Sequence, residues 1–257
     1  MAELLYPAVI GVARATFVGL GLKFTITGTE HVPAHGGAVM AINHTGYMDF
    51  TFAGLGAHPA KRLVRFMAKD GIWKHPVAGP LMRGMKHIPV DRDAGAASYN
   101  AAVDALRAGE IIGVFPEATM SPSLELLPFK QGATRMAMEA GVPILPTILW
   151  GSQRVLAYHS RKPLRQRKLP IMIVIGDPFV VAPDEGVAAA TRRLRSVMTQ
   201  MLHAAQEAYP DRPKGPEDSW WLPTRLGGTA PTPEEGQQLA NARRKRGTEG
   251  RAASAAE

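Results

Sequence analysis

The chain has 257 residues, 46% of them hydrophobic, enough to build a sizeable buried core. Its formal net charge of +8 points to anionic partners such as phosphorylated metabolites, acidic lipid headgroups or nucleic acid. No cysteine is present, which excludes disulfides, thiolate metal sites and a cysteine nucleophile.

Met1-Ala2-Glu3 lacks a basic lead, and no small-residue cleavage pattern follows, so the start does not read as a cleaved signal peptide. The apolar run from Leu4 to Leu22 is slightly short for a bilayer span and carries Arg14 near its middle. It predicts a helix lying in the membrane interface, with packing on the domain as the alternative. Lys23 to Thr29 alternates like a strand, and Ala38 to Ile42 is a short apolar strand. A helix-like stretch then runs to about Leu55, followed by a strand at Leu63 to Ala68, a helix at Pro76 to Arg83 and a strand at Lys86 to Val90. Helical spacing over Ala96 to Arg107 stops at Gly109, and Ile111 to Phe115 is a strand. The helix Gly132 to Ala140, closed by Gly141, precedes strands at Ile144 to Leu149 and Ile171 to Ile175. Ala188 to Ala208 reads as a long helix with Arg192, Arg193 and Arg195 outward. Strands alternating with helices predict one α/β domain around a largely parallel, mixed sheet flanked by helices. The expected organisation is a lead-in over residues 1–28, the domain over 29–210, and a Pro-, Gly- and charge-rich extension over 211–257. Composition predicts no fixed structure after about residue 228. Trp220 and Trp221, adjacent in a polar context, suit the headgroup layer of a membrane.

Three motifs sit at strand ends, where open α/β sheets bind ligands, and two more accompany them. His44 and Asp49 flank a strand-to-helix junction. On a continuous helix, side chains five apart point about 140° away from each other. They meet only if His44 lies on the non-helical entry and Asp49 on the first turn, with Thr45 a plausible N-cap. The carboxylate then fixes one imidazole nitrogen and leaves the other as a base. Phe115-Pro116-Glu117-Ala118-Thr119-Met120-Ser121 offers a carboxylate and hydroxyls to a polyol or phosphate. Ile88-Pro89-Val90-Asp91-Arg92 places a guanidinium fork at another strand end. Lys130 precedes the helix start at Gly132, a place suited to an anion. Val142-Pro143-Ile144-Leu145-Pro146 is an apolar strand framed by prolines. Taken singly, each has a plain structural reading: a helix-dipole carboxylate, a turn, a strand-end ion pair.

In order and spacing, these blocks resemble the lysophosphatidate acyltransferase family, the glycerophospholipid acyltransferases of the PlsC type. Asn43, His44 and Asp49 match its Asn-His-x4-Asp block, Arg92 the Arg that closes the second, and Val142 to Pro146 the fourth. Phe115 to Ser121 matches Phe-Pro-Glu-Gly-Thr-Arg-Ser with two departures, Ala118 for Gly and Met120 for Arg. The resemblance spans about Val32 to Ile175. It implies a single glycerophospholipid acyltransferase domain with an N-terminal membrane-associating helix and neither metal nor cofactor. The donor would be acyl-CoA or acyl-ACP and the acceptor 1-acyl-glycerol 3-phosphate, on a membrane surface at the cytoplasmic side. His44 would act as base and Asp49 as its partner, with Arg92, Glu117 and Thr119 holding the acceptor and Lys130 compensating for Met120. Glycerol 3-phosphate itself, a glycolipid or another lysophospholipid remain alternative acceptors. A nucleic-acid binder is the distant alternative, resting on Arg161, Lys162, Arg165, Arg167 and Lys168, which lack interleaved aromatics. A basic loop facing anionic lipid fits them better. His31 and His35 have metal-ligand spacing, but Pro33 and Gly36 argue against the helix that would align them.

Overall fold

The computed structural model describes residues 5–90, 95–157, 166–182 and 184–254, with side chains in the last helix described as far as Lys245. The elements are α1 (Leu5–Gly19), β1 (Lys23–Thr27), β2 (Ala38–Ile42), α2 (Asp49–Ala57), β3 (Val64–Lys69), α3 (Ala78–Gly84) and β4 (Ile88–Val90). They continue with α4 (Gly95–Arg107), β5 (Ile111–Val114), α5 (Gly132–Ala140), β6 (Ile144–Trp150), α6 (Ser152–Val155), β7 (Pro170–Ile175), α7 (Val187–Ala208) and α8 (Pro233–Ser254). The strands form one sheet in the order β1-β7-β6-β2-β5-β3-β4, parallel throughout except between β6 and β7.

Every residue of β2 and β6 is buried, because helices cover both sheet faces. That is why these strands read as continuous apolar runs rather than alternating ones. Successive residues of β2 point to opposite faces. Val39 and Ala41 join Val103 of α4, Met136 of α5 and Leu194, Met198 and Leu202 of α7. Ala38, Met40 and Ile42 join Phe17 of α1 and Phe52 of α2. Each such large side chain contributes roughly 1.5–3 kcal/mol by leaving water. Pro146 in β6 gives up its own N–H rung, but its carbonyl still accepts from Gly176 N at 2.8 Å, and the Ile144↔Phe179 bridge carries the pairing on beyond it.

Two features of the C-terminal extension differ from what composition predicts. Trp221 is fully buried, not a membrane-facing aromatic. It packs edge-on to Tyr209 at 5.6 Å, under the Arg154 guanidinium at 4.3 Å from its ring centre. Beyond residue 228 the chain forms α8 instead of staying without fixed structure. Thr232 and Glu235 make a reciprocal capping box, Thr232 N donating to Glu235 Oε2 at 2.9 Å and Glu235 N to Thr232 Oγ1 at 3.2 Å. Ala230 and Ala240 are buried, so the extension adds to the core.

Candidate active site

The loop after β2 is fixed from its neighbours before it reaches His44. Asn43 Nδ2 donates to Leu149 O at 3.0 Å and its Oδ1 accepts from Leu149 N at 2.7 Å, so this side chain ties the loop to β6. Asp49, fully buried on the first turn of α2, turns Oδ2 back into the loop. That oxygen accepts from Thr45 N at 2.7 Å, from Gly46 N at 2.8 Å and from His44 Nδ1 at 2.9 Å. Charge-assisted bonds of this kind are worth about 1.5–3 kcal/mol each. With Nδ1 carrying the proton, Nε2 presents a lone pair. Among the described residues nothing hydrogen-bonds Nε2, and the side chain keeps 21% of its surface exposed. Phe115 stacks on the imidazole at 4.2 Å, leaving the ring little freedom to turn. Thr45 is not the N-cap, which is Met48; the Thr45 hydroxyl meets Ser152 Oγ at 3.1 Å instead.

Glu117, expected to hold the acceptor, is fully buried and works from behind. Its Oε1 accepts from His44 N at 2.9 Å and its Oε2 from Leu127 N at 2.9 Å, clamping the two loops together. The clamp is closed by Ser121 N donating to His44 O at 2.8 Å. Arg195, expected to face outward, donates to Leu126 O at 2.7 Å and Leu127 O at 3.1 Å, holding the same loop. Ala118 adopts a left-handed φ of 56°, which is the physical reason the matching family motif has Gly there.

Burial pushes the Glu117 carboxyl up to about 8, against the opposing pull of its two backbone N–H donors. Its folded pKa therefore lies above the unfolded one, so the folded state binds more protons between about pH 4.5 and 8, and stability falls as pH rises through that window. His87, lowered by burial and Arg65 to about 4, adds the opposite slope only below its unfolded value near 6.5. Between pH 6.5 and 8 the chain should thus lose roughly 1–2 kcal/mol of stability. Urea midpoints measured across this range should show the loss, and Glu117→Gln should flatten it. An unchanged slope in that variant contradicts the assignment.

Of the other expected site residues, Arg92 lies outside the described residues, as do Arg161, Lys162 and Arg165 of the basic cluster. Thr119 is partly exposed on the loop and Lys130 is exposed ahead of α5. A cavity of about 310 Å³ opens beside the catalytic loop, lined by Thr45, Met120, Ser121, Gln153, Trp220 and Arg243 among others. Sequence reasoning missed the contribution of the last helix to it. The available signal was Thr232-Pro233-Glu234-Glu235, a helix-start signature.

The sequence and the fold have counterparts in known proteins. A family model described as Acyltransferase matches residues 23–150. A 1-acyl-sn-glycerol-3-phosphate acyltransferase from Bacillus subtilis is 30% identical over 179 residues, covering 67% of this chain and 84% of that protein. One of the same name from Limnanthes douglasii is 32% identical over 177 residues, covering 66% of this chain and 58% of the plant protein. The chain spans less than half of the chloroplastic relative from Brassica napus, 44% of its length. The crystal structure of the 1-acyl-sn-glycerophosphate acyltransferase PlsC from Thermotoga maritima superimposes with a TM-score of 0.65 at 20% identity, covering 80% of this chain and 81% of that one. At that identity the superposition speaks for the fold.

Proposed function

Because the chain belongs to the acyltransferase family of the 1-acyl-sn-glycerol-3-phosphate acyltransferases, we propose that its His44–Asp49 pair transfers an acyl group from a thioester to the free hydroxyl of 1-acyl-glycerol 3-phosphate, giving phosphatidate. The observation that carries this reading is the 2.9 Å contact between His44 Nδ1 and Asp49 Oδ2, with Nε2 left for substrate. His44 Nε2 takes the proton of the acceptor hydroxyl as that oxygen attacks the thioester carbonyl. Asp49 holds the tautomer and offsets the charge of the imidazolium that forms. Collapse of the tetrahedral adduct breaks the C–S bond, and the proton on His44 passes to the departing thiolate. Acyl-CoA and acyl-ACP both satisfy this scheme. In this reading Thr119, partly exposed on the loop, offers its hydroxyl to acceptor oxygens, and Arg92, following β4, and Lys130, ahead of α5, are the strand-end and helix-start cations. The test is labelled palmitoyl thioester with a panel of acceptors. Labelled phosphatidate from lysophosphatidate is the expected product; transfer only to glycerol 3-phosphate or a glycolipid would move the assignment to that acceptor.

Membrane-surface attachment is part of the proposal. Of the fifteen residues of the apolar helix α1, only Tyr6 and Phe17 are buried. Val12 and Val18 stand 69% and 78% exposed, and Ile72 and Val77, before α3, are exposed apolar residues as well. Among the described residues no helix is long and apolar enough to cross a membrane. A short helix with an apolar outer face suits the bilayer interface. Tyr6 donates to Val64 O and Phe17 packs in the core, so deleting the helix would disturb the fold itself. Val12→Asp with Val18→Asp leaves both anchors intact. This double variant should lose most co-sedimentation with anionic vesicles at an unchanged melting temperature; equal sedimentation with the parent chain removes α1 as the anchor.

A further inference from the structure

The family motif carries Arg where this chain has Met120, so position 120 brings no cation to the loop that bonds to His44. Position 120 nevertheless shares its cavity with one. Met120, Thr45 and Ser121 line the 310 Å³ space together with Arg243 from α8, the only charged side chain among the described residues lining it. The cavity adjoins the loop that carries the catalytic base: Thr45, which lines it, follows His44 in sequence, and Ser121, which also lines it, donates its N–H to His44 O at 2.8 Å.

The placement of α8 rests on several contacts. Its start is fixed by the Thr232–Glu235 capping box. One turn on, Gly236 lies so close to Ser123 that a Cβ would stand 2.8 Å from the serine Cβ. Ala240 is fully buried. Arg244 Nη2 then donates to Glu117 O at 2.6 Å. Residues 236, 240, 243 and 244 recur at helical spacing along one face, turned toward the Glu117–Ser123 loop. This face lies outside residues 23–150, the stretch matched by the family model.

We propose that Arg243 is a further specificity-determining residue for the acceptor's phosphate group, acting in addition to Arg92 and delivered by the C-terminal helix in place of the cation missing at position 120. The inference rests on the lysophosphatidate reading above. Guanidinium offers a planar fork of donors to a phosphate monoester, and a cavity otherwise lined by uncharged residues strengthens that attraction.

The test compares lysophosphatidate with monoacylglycerol, the same acceptor without its phosphate, in the full-length chain. Arg243→Gln should lower kcat/KM for lysophosphatidate about 10–100-fold, with monoacylglycerol turnover and thioester KM unchanged. Arg243→Lys should retain part of the activity, and Met120→Arg placed in the Arg243→Gln background should restore part of the loss. Wild-type kinetics in Arg243→Gln overturn the proposal. So does an equal loss on both acceptors, which assigns Arg243 to packing, or a raised thioester KM, which assigns it to donor phosphates. A parent chain that transfers nothing to lysophosphatidate overturns the function reading itself, and shows this before any variant is made.

Discussion

His44→Ala should lose at least about 10³-fold in turnover while melting like the parent chain, because general base catalysis typically supplies roughly 10²–10⁴-fold. The geometry explains why the two effects separate. Asp49 Oδ2 keeps its bonds from Thr45 N and Gly46 N when the imidazole is gone, so the loop retains two of its three ties to that oxygen. The backbone N of residue 44 still reaches Glu117. What disappears is the ring held between Asp49 and Phe115, and with it the proton acceptor. A steady-state assay with lysophosphatidate, paired with a thermal melt, checks both halves. Retention of a tenth of the parent activity removes His44 from the chemistry.

Trp221→Ala should cost about 3–5 kcal/mol, the range for deleting a buried aromatic, and lower the melting temperature by roughly 10 °C. The ring is wholly buried among Tyr209, Arg154 and the α7 side of the core. Its backbone carbonyl also accepts from Gln153 Nε2 at 3.2 Å, linking the extension to the segment after β6. The residue lies outside the stretch that composition assigns to the catalytic domain, so a large loss shows that the extension folds with it. A shift under about 3 °C contradicts that integration.

These cases mark where sequence reasoning reaches and where it stops. The strands were legible because β2, β5 and β6 are short apolar runs bounded by turns. The meeting of His44 and Asp49 was legible because five-residue spacing across a strand-to-helix junction permits few geometries. The role of Glu117 was not legible. A carboxylate after a strand looks the same in one dimension whether it faces substrate or accepts two backbone N–H groups inside the protein. Arg195 misled for a related reason: its helix face is polar, and only the tertiary fold brings the Leu126 and Leu127 carbonyls against it. Trp221 was misplaced because the surrounding segment is polar and proline-rich, while its spatial neighbours include Arg154 and Tyr209. In α8 low apolar content outweighed a capping signal at Thr232 and Glu235, since a helix that buries mainly small residues leaves a faint hydrophobic pattern.

In direct transfer His44 activates the acceptor hydroxyl and no acyl group rests on the protein. This is tested most directly by following thiol release after rapid mixing of the chain with an acyl thioester, first without and then with lysophosphatidate. Direct transfer gives no stoichiometric burst of thiol in the absence of acceptor, and thiol and phosphatidate appear together, one for one, once acceptor is added. A burst equal to the protein concentration without acceptor, with labelled acyl group remaining on the chain after denaturation, would contradict it.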